Sequence, residues 1–114
     1  HFVQSDLLAP FTIKFDLICA NLPYIPTKTL ATLPVADWEP RLALDGGGSG
    51  LEVILRLLKQ ARSRLSATGI ILLETESSLG QATLSAAKDA FPDAHCYLIK
   101  DLAGHDRIIE IRRT

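Results

Sequence analysis

The sequence of 114 residues contains no methionine and begins at His1. We therefore expect the start of translation to lie outside it and the chain to be a fragment that forms one domain at most. Cysteine is scarce: Cys19 and Cys96 lie far apart without Cys-x-x-Cys spacing, which predicts buried apolar thiols rather than a disulfide or a metal pair. His95 and His105 also lack carboxylate or cysteine partners at ligand spacing, so no metal site is predicted.

Long apolar runs and a strong charge of one sign are missing as well. The longest apolar stretches, residues 51–58 and 69–73, are much shorter than the ~20 residues needed to cross a bilayer, and no signal-peptide pattern is visible. We therefore expect a cytoplasmic chain with no membrane partner. A net charge of −1 gives no general attraction to phosphate backbones, which argues against nucleic acid as a partner.

The pattern of apolar and polar residues predicts an α/β fold with an antiparallel hairpin at its end. Two short apolar runs are typical of buried parallel strands, and two longer segments have helical spacing with basic residues on the solvent side. The last two strands are joined by too short a connection for a parallel crossover. The predicted strands are residues 15–20, 69–74, 96–100 and 107–112, and the predicted helices are residues 51–65 and 78–91.

Local signals define how these elements begin. Ser49 with Glu52, and Ser78 with Gln81, have the form of capping boxes at the two helix starts. Glu52 and Arg56 are spaced for a favourable i, i+4 ion pair. Between the first strand and the first long helix, prolines 23, 26 and 34 predict an irregular loop. In the final hairpin, the adjacent Asp106 and Arg107 predict a local ion pair.

The tetrapeptide Asn21-Leu22-Pro23-Tyr24 follows directly after the first predicted strand, at the sheet edge where open α/β folds bind ligands. The Asn21 side-chain oxygen and the Leu22 carbonyl can accept both N–H bonds of a planar amide and orient its nitrogen. The aromatic face of Tyr24 can cover such a group. The alternative interpretation is an ordinary Asn- and Pro-containing turn.

A glycine-rich run at residues 46–50 resembles the cofactor loops of α/β enzymes and opens onto a helix. The residues before it include Glu39, Pro40 and Arg41, which do not fit the buried strand that such a loop must follow. We therefore interpret the run as a turn leading into a capped helix. Glu74 and Glu76 also end a strand at the ligand-binding edge, but nothing around them indicates paired acids for hydrolysis.

Several segments together resemble one enzyme family. Residues 21–24 look like the Asn-Pro-Pro-Tyr motif of methyltransferases that act on planar nitrogens. Four more segments make the combination similar to the HemK-type protein-(glutamine-N5) methyltransferases, which methylate a glutamine of peptide-chain release factors. The resemblance runs from about Ser5 to the last residue, and the four segments are residues 16–18, 39–44, 47–51 and 100–107.

This resemblance implies the carboxy-terminal part of a Rossmann-like, seven-stranded methyltransferase sheet that uses S-adenosylmethionine. Asp6 and Leu7 match family positions beside the adenine, and Asn21 matches a position that touches both cofactor and substrate. Asn21, Leu22 and Tyr24 are the implied catalytic residues, and Pro23 joins them in binding the substrate. Leu22 replaces a proline of the family motif, which leaves the carbonyl but removes rigidity.

In this comparison, residues 1–114 form a partial methyltransferase domain whose glycine-rich cofactor loop and amino-terminal domain lie upstream. The isolated fragment is then expected to be inactive and to self-associate through an unpaired sheet edge. Two alternatives stay open. An adenine-N6 nucleic-acid methyltransferase uses the same motif chemistry, although the charge and residues 101–107 argue against it. A non-catalytic interaction module that retains the fold is the other.

Overall fold

The computed structural model describes all residues from 1 to 114 and contains one four-stranded sheet. Its strands are β1 (Phe15–Ala20), β2 (Leu65–Glu74), β3 (His95–Lys100) and β4 (Asp106–Arg112), and their order in the sheet is β1-β2-β4-β3. Strands β1 and β2 are parallel, whereas β4 runs antiparallel to both of its neighbours. The predicted α/β fold with a terminal antiparallel hairpin is therefore confirmed.

Two long helices, α3 (Glu52–Arg64) and α4 (Gly80–Ala90), supply the other side of the core. Alternate residues of β2 and β4 are fully buried and belong to the same apolar cluster as the inner face of α3. The amphipathic prediction for α3 is thus confirmed, except that Leu55 is 46% exposed. The cluster is Ile18, Ile54, Leu57, Leu58, Ala61, Leu65, Ile71, Leu73, Ala87, Phe91, Ile109 and Ile111.

The first strand is less buried than predicted because it forms an edge of the sheet. Only Ile18 of β1 is buried, while Leu17 is 55% exposed and Cys19 is also exposed. Cys19 is therefore not the buried thiol that was predicted, whereas Cys96 is partly buried, and both are free. With β2 as its single strand neighbour, β1 has the unpaired edge that the family resemblance implied.

Strand β2 begins at Leu65, directly after α3, rather than at Gly69. Phe15 of β1 pairs with Leu65 and Leu17 pairs with Ile70, so residues 66–69 bulge out of the ladder. Gly69 permits this bulge, because a Cβ there would lie 2.7 Å from the Leu65 side chain. The predicted strand is thus the second part of a longer strand that contains a bulge.

The caps of the long helices also differ from the predictions. The Glu52 carboxylate accepts from the Ser49 N–H at 2.9 Å and from the Ser49 hydroxyl, but the Ser49 oxygen accepts from Leu51 rather than from Glu52. Half of that capping box is formed. Ser78 and Gln81 form none, because a short 3₁₀ turn (Ser77–Leu79) precedes α4 and Glu76 accepts from the Ser78 N–H at 2.8 Å.

The proline-containing segment after β1 was predicted to be an irregular loop, but part of it is regular structure. It contains helix α1 (Thr27–Leu30), a 3₁₀ turn (Pro34–Asp37) and helix α2 (Arg41–Leu44). Pro26 and Pro40 stand just before the two helices and Pro34 opens the 3₁₀ turn. Proline is tolerated at these positions because the first N–H groups of a helix have no partner within it. Separately, none of the helices has the length and apolar character required of a membrane span.

Candidate functional site

The segment of residues 21–24, here called the motif segment, leaves β1 at the carboxyl edge of the sheet. Ala20 pairs with Leu73, so the next residues along each strand, Asn21 and Glu74, follow the ladder side by side. This is the edge at which open α/β sheets bind ligands. The predicted position of the motif segment at the end of a parallel strand is confirmed.

Backbone hydrogen bonds anchor the segment immediately after Tyr24. The Ile25 N–H donates to the Leu44 carbonyl at 3.0 Å, and the Gly46 N–H donates to the Ile25 carbonyl at 2.9 Å. Ile25 and Asp45 thereby form an isolated parallel bridge. The chain segments around Ile25 and Asp45, which are distant in sequence, are thus joined directly after the motif segment.

The glycine run supports the motif segment by close backbone packing. A Cβ on Gly46 would lie 2.7 Å from the Tyr24 Cα, and one on Gly50, whose φ is +84°, would overlap the Tyr24 carbonyl oxygen. Only glycine permits both the approach and the positive φ. The run follows helix α2 rather than a strand and leads into α3, as predicted from the residues before it. Sequence reasoning missed that the run supports the motif.

A polar clasp holds helix α1 onto the same structure. The Asp45 carboxylate accepts from the Thr27 hydroxyl at 2.6 Å, from the Gly47 N–H at 3.0 Å and from Arg41 Nε at 3.1 Å. The pKa of Asp45 is lowered, first by the Thr27 hydrogen bond and then by the Gly47 N–H, with Arg41 adding to the effect. The loop after β1 is therefore tied down at its start.

A cavity of about 200 Å³, here called the motif cavity, opens beside the motif segment. The Leu22 carbonyl on this segment accepts no hydrogen bond from the chain, and the Asn21 side chain, which is exposed, makes none. Two unoccupied acceptor oxygens at one cavity suit a ligand that carries two N–H bonds. The cavity is lined by Asn21, Leu22, Pro23, Tyr24, Ile25, Glu39, Ala43 and Leu44.

Tyr24 is held by an acidic neighbour that the sequence interpretation set aside. Its hydroxyl donates to Glu74 Oε1 at 3.5 Å. The pKa of Tyr24 is raised, chiefly by burial and then by the negative charge of Glu74, whereas Arg107 acts in the opposite direction. The sequence signal for Glu74 is its position at the end of β2. In the structure Glu74 interacts with Tyr24 rather than with a second acid.

The predicted cofactor neighbours lie along helix α3. Asp6 forms an ion pair with Arg56, and the Leu8 N–H donates to Gln60 Oε1 at 2.8 Å. Leu7 has a φ of 54° and packs against the core. Because Arg56 pairs with Asp6, the predicted Glu52–Arg56 ion pair is not formed. No hydrogen bond joins Asp6 or Leu7 to Asn21, and the role of all three residues as cofactor neighbours stays a prediction.

The β3–β4 hairpin is braced by ion pairs at the same sheet edge. Asp101 accepts from the Ala103 and His105 N–H groups at 3.0 Å, and Arg107 Nε donates to it at 3.2 Å. Lys100 pairs with Asp106 at 2.8 Å. The predicted Asp106–Arg107 pair is therefore wrong, because adjacent residues on a strand point to opposite faces. His95 and His105 are exposed.

Comparison with known proteins gives matches along almost the whole chain. No family model matches. The chain is 42% identical over 107 residues to a release factor glutamine methyltransferase of Moorella thermoacetica, which covers 92% of this chain and 38% of that protein. It is 38% identical over 117 residues to the protein of the same name from Rhodopirellula baltica, covering 98% of this chain and 39% of the relative.

A solved structure agrees at the level of the fold. The match is to the E. cuniculi Mtq2–Trm112 complex, described as responsible for methylation of the eRF1 translation termination factor. The TM-score is 0.62 at 20% identity, covering 98% of this chain and 60% of that chain. The curated relatives confirm the resemblance on which the sequence motifs converged, and the solved structure supports the fold.

Proposed function

We infer that the chain belongs to the release factor glutamine methyltransferases, and we propose that it carries the acceptor-binding part of such an enzyme. The proposed reaction is methyl transfer to a glutamine side-chain nitrogen of a peptide-chain release factor. The carrying observation is the motif segment at the carboxyl edge of the sheet, with the Leu22 carbonyl free of intramolecular hydrogen bonds. The names of the relatives support glutamine rather than adenine as the acceptor.

The chemistry follows from the nature of an amide nitrogen. Its lone pair is delocalised into the carbonyl, so it is a poor nucleophile unless the enzyme orients and polarises it. In our proposal the Asn21 side-chain oxygen and the Leu22 carbonyl accept its two N–H bonds. The same oxygens stabilise the positive charge that develops on nitrogen during transfer. The neutral phenol of Tyr24 packs against the planar amide.

S-adenosylmethionine is the proposed cofactor, and it supplies a methyl group carried on a sulfonium. The motif cavity, at about 200 Å³, is smaller than the ~300–1,000 Å³ typical of sites for ligands of this size, and in our proposal it receives the acceptor amide. The chain therefore fits only part of the cofactor, with Asn21 at the reacting end. Asp6 and Leu7 remain proposed neighbours of the adenine, and Asp6 is exposed beside Arg56.

The rest of the site is proposed to come from other parts of a longer protein. The chain spans 38% and 39% of the two relatives, so residues 1–114 are proposed to be a partial methyltransferase domain. The glycine run at residues 46–50 packs against Tyr24, which supports placing the cofactor's glycine-rich loop elsewhere. Since release factors act on ribosomes, we propose a cytoplasmic protein whose partner is its protein substrate.

Transfer of labelled methyl from S-adenosylmethionine to a purified release factor tests this function, using the longer protein that contains the chain. We expect label on one glutamine and none after that glutamine is changed to alanine. Asn21→Ala should lower the rate about 100-fold, because one acceptor to the developing charge is lost. Leu22→Pro retains the carbonyl and should remain active. Unlabelled release factor, or an undiminished rate in Asn21→Ala, contradicts the proposal.

A further inference from the structure

The Glu74 carboxylate lies at the end of β2, beside the motif segment, and its polar contacts are few. The Tyr24 hydroxyl donates a long hydrogen bond to its Oε1 at 3.5 Å. Glu74 is partly buried, yet it belongs to none of the ion pairs of the chain. Because partial burial of an unpaired charge costs free energy, stability alone does not account for a carboxylate at this position.

The backbone that carries Glu74 is firmly held. Its neighbours along the chain, Leu73 and Thr75, are both completely buried at 0% exposure. The Thr75 N–H donates to the Arg107 carbonyl at 2.9 Å, and the Thr75 and Thr83 hydroxyls share a buried hydrogen bond of 3.1 Å. A side chain on such a strand end is held more precisely than one on a loop. Glu74 is therefore a fixed point for any group that it binds.

Tyr24 is fixed at its other end by close packing of its backbone. A Cβ on Gly46 would lie 2.7 Å from the Tyr24 Cα, and one on Gly50 would overlap the Tyr24 carbonyl oxygen. The glycine run thus holds the backbone of this residue, while Glu74 accepts from its hydroxyl. The ring between these two points lines the motif cavity.

We propose that Glu74 is a positioning residue for methyl transfer, which holds the Tyr24 hydroxyl so that the tyrosine ring lies flat on the acceptor amide. The inference rests on the proposed function, because it requires an amide in the motif cavity. The reactive lone pair of an amide nitrogen points out of the amide plane. The methyl group therefore approaches one face of the amide, and a ring fixed against the opposite face prevents the plane from tilting.

The structure separates this role from a direct action on the substrate. Tyr24 lines the motif cavity, whereas Glu74 does not, so Glu74 acts through the tyrosine. Glu76 offers a matched comparison two residues further on. Its carboxylate accepts from the Ser78 N–H at 2.8 Å and makes no hydrogen bond to Tyr24. The two glutamates thus place similar charges at one edge of the sheet, but only Glu74 holds the ring.

The test is a double-mutant cycle in the longer protein that contains the chain, measured by methyl transfer to a purified release factor. We expect Glu74→Ala and Tyr24→Phe each to lower kcat about 10-fold, which corresponds to one lost hydrogen bond. The double variant should lose no more than either single variant, because both remove the same contact. The KM for the release factor should change less than about twofold. Losses that multiply in the double variant overturn the proposal.

Two further variants separate the hydrogen bond from the charge. Glu74→Gln keeps an acceptor oxygen for the Tyr24 hydroxyl and should recover most of the rate lost in Glu74→Ala. Glu76→Gln removes a negative charge that makes no hydrogen bond to Tyr24, so the effect of Tyr24→Phe should keep its full size in that background. If Glu74→Gln is as slow as Glu74→Ala, the carboxylate acts by its charge and the positioning role is wrong.

The Cζ resonance of the tyrosine ring tests the contact without any reaction, because it responds to hydrogen bonding of the hydroxyl. The signal that disappears in Tyr24→Phe belongs to Tyr24. Glu74→Ala should move this signal, and an unmoved signal overturns the inference. If the unsubstituted longer protein labels no release factor, the proposed function fails and the inference fails with it. If labelling is undiminished in Glu74→Ala, the proposed function survives and only the inference is wrong.

Discussion

At the residue scale, the glycines show how one residue type meets different demands. Gly50 and Gly104 both have a φ of +84°, which side-chain-bearing residues rarely adopt. Around Gly50 a Cβ would collide with the Tyr24 carbonyl, whereas around Gly104 nothing lies within 4 Å. Substitutions at Gly50 and Gly104 therefore separate the free-energy cost of the backbone conformation from the cost of steric overlap with the motif segment.

We expect Gly104→Ala to lower the free energy of unfolding by about 1 kcal/mol, from the positive φ alone. Gly50→Ala should lower it by more than about 2 kcal/mol, because overpacking against Tyr24 adds to the same strain. Urea denaturation measures both values, and amide chemical shifts at residues 21–25 report the motif segment. Equal losses of stability, with unmoved shifts in Gly50→Ala, would show that the glycine run does not support the motif.

The same scale shows what a residue-by-residue interpretation can miss. Asn21 to Tyr24 follow a parallel strand as predicted, because strand and proline signals are local. Glu74 was noticed and set aside, since its partner Tyr24 lies 50 positions away in sequence and meets it only after β1 and β2 pair. Arg56 was assigned to Glu52 by helical spacing, but the segment containing Asp6 brings a competing carboxylate.

At the element scale, the clasp of Thr27, Asp45 and Gly47 connects helix α1 to the chain entering α3. We expect Asp45→Ala to destabilise the protein more than Asp45→Asn, because asparagine keeps an oxygen for Thr27 and Gly47 while losing the charge. Denaturation midpoints of the two variants give the order. A neutral effect of Asp45→Ala would mean that the backbone bonds of Ile25 hold the segment alone.

The clasp also has a defined pH dependence. The folded-state pKa of Asp45 is lowered, first by the Thr27 hydroxyl and then by the Gly47 N–H. Its contribution to stability is therefore present above the ordinary carboxyl pKa of about 4 and is lost as the pH falls through the lowered folded value. Between about pH 7 and pH 3, Asp45→Asn should lose less stability than the unmodified chain.

At the scale of the whole molecule, β1 exposes an unpaired row of backbone N–H and C=O groups at the edge of the sheet. Both long helices belong to the cluster with Ile71 and Ile109, while Leu17 of β1 is 55% exposed. An open edge next to exposed apolar side chains favours pairing with another copy of the chain.

We therefore expect residues 1–114, expressed alone, to self-associate in a concentration-dependent way that sedimentation velocity detects. Leu17→Lys should reduce association, because a charge on an edge strand opposes pairing. Leu102→Lys is the matched control, since Leu102 is exposed in the β3–β4 hairpin loop, far from β1 in the strand order. A monomeric mass at high concentration rules out association through this edge.

Sequence alone determined the strands and long helices and their order along the chain, because hydrophobic periodicity is a local property. It also determined the hairpin and the placement of the motif segment at a strand end. Tertiary structure decided the partners: which carboxylate pairs with Arg56, which residue caps the 3₁₀ turn before α4, and why residues 46 and 50 are glycines. These depend on which distant segments meet, and the packing of Gly46 and Gly50 against Tyr24 exists only once the chain has folded.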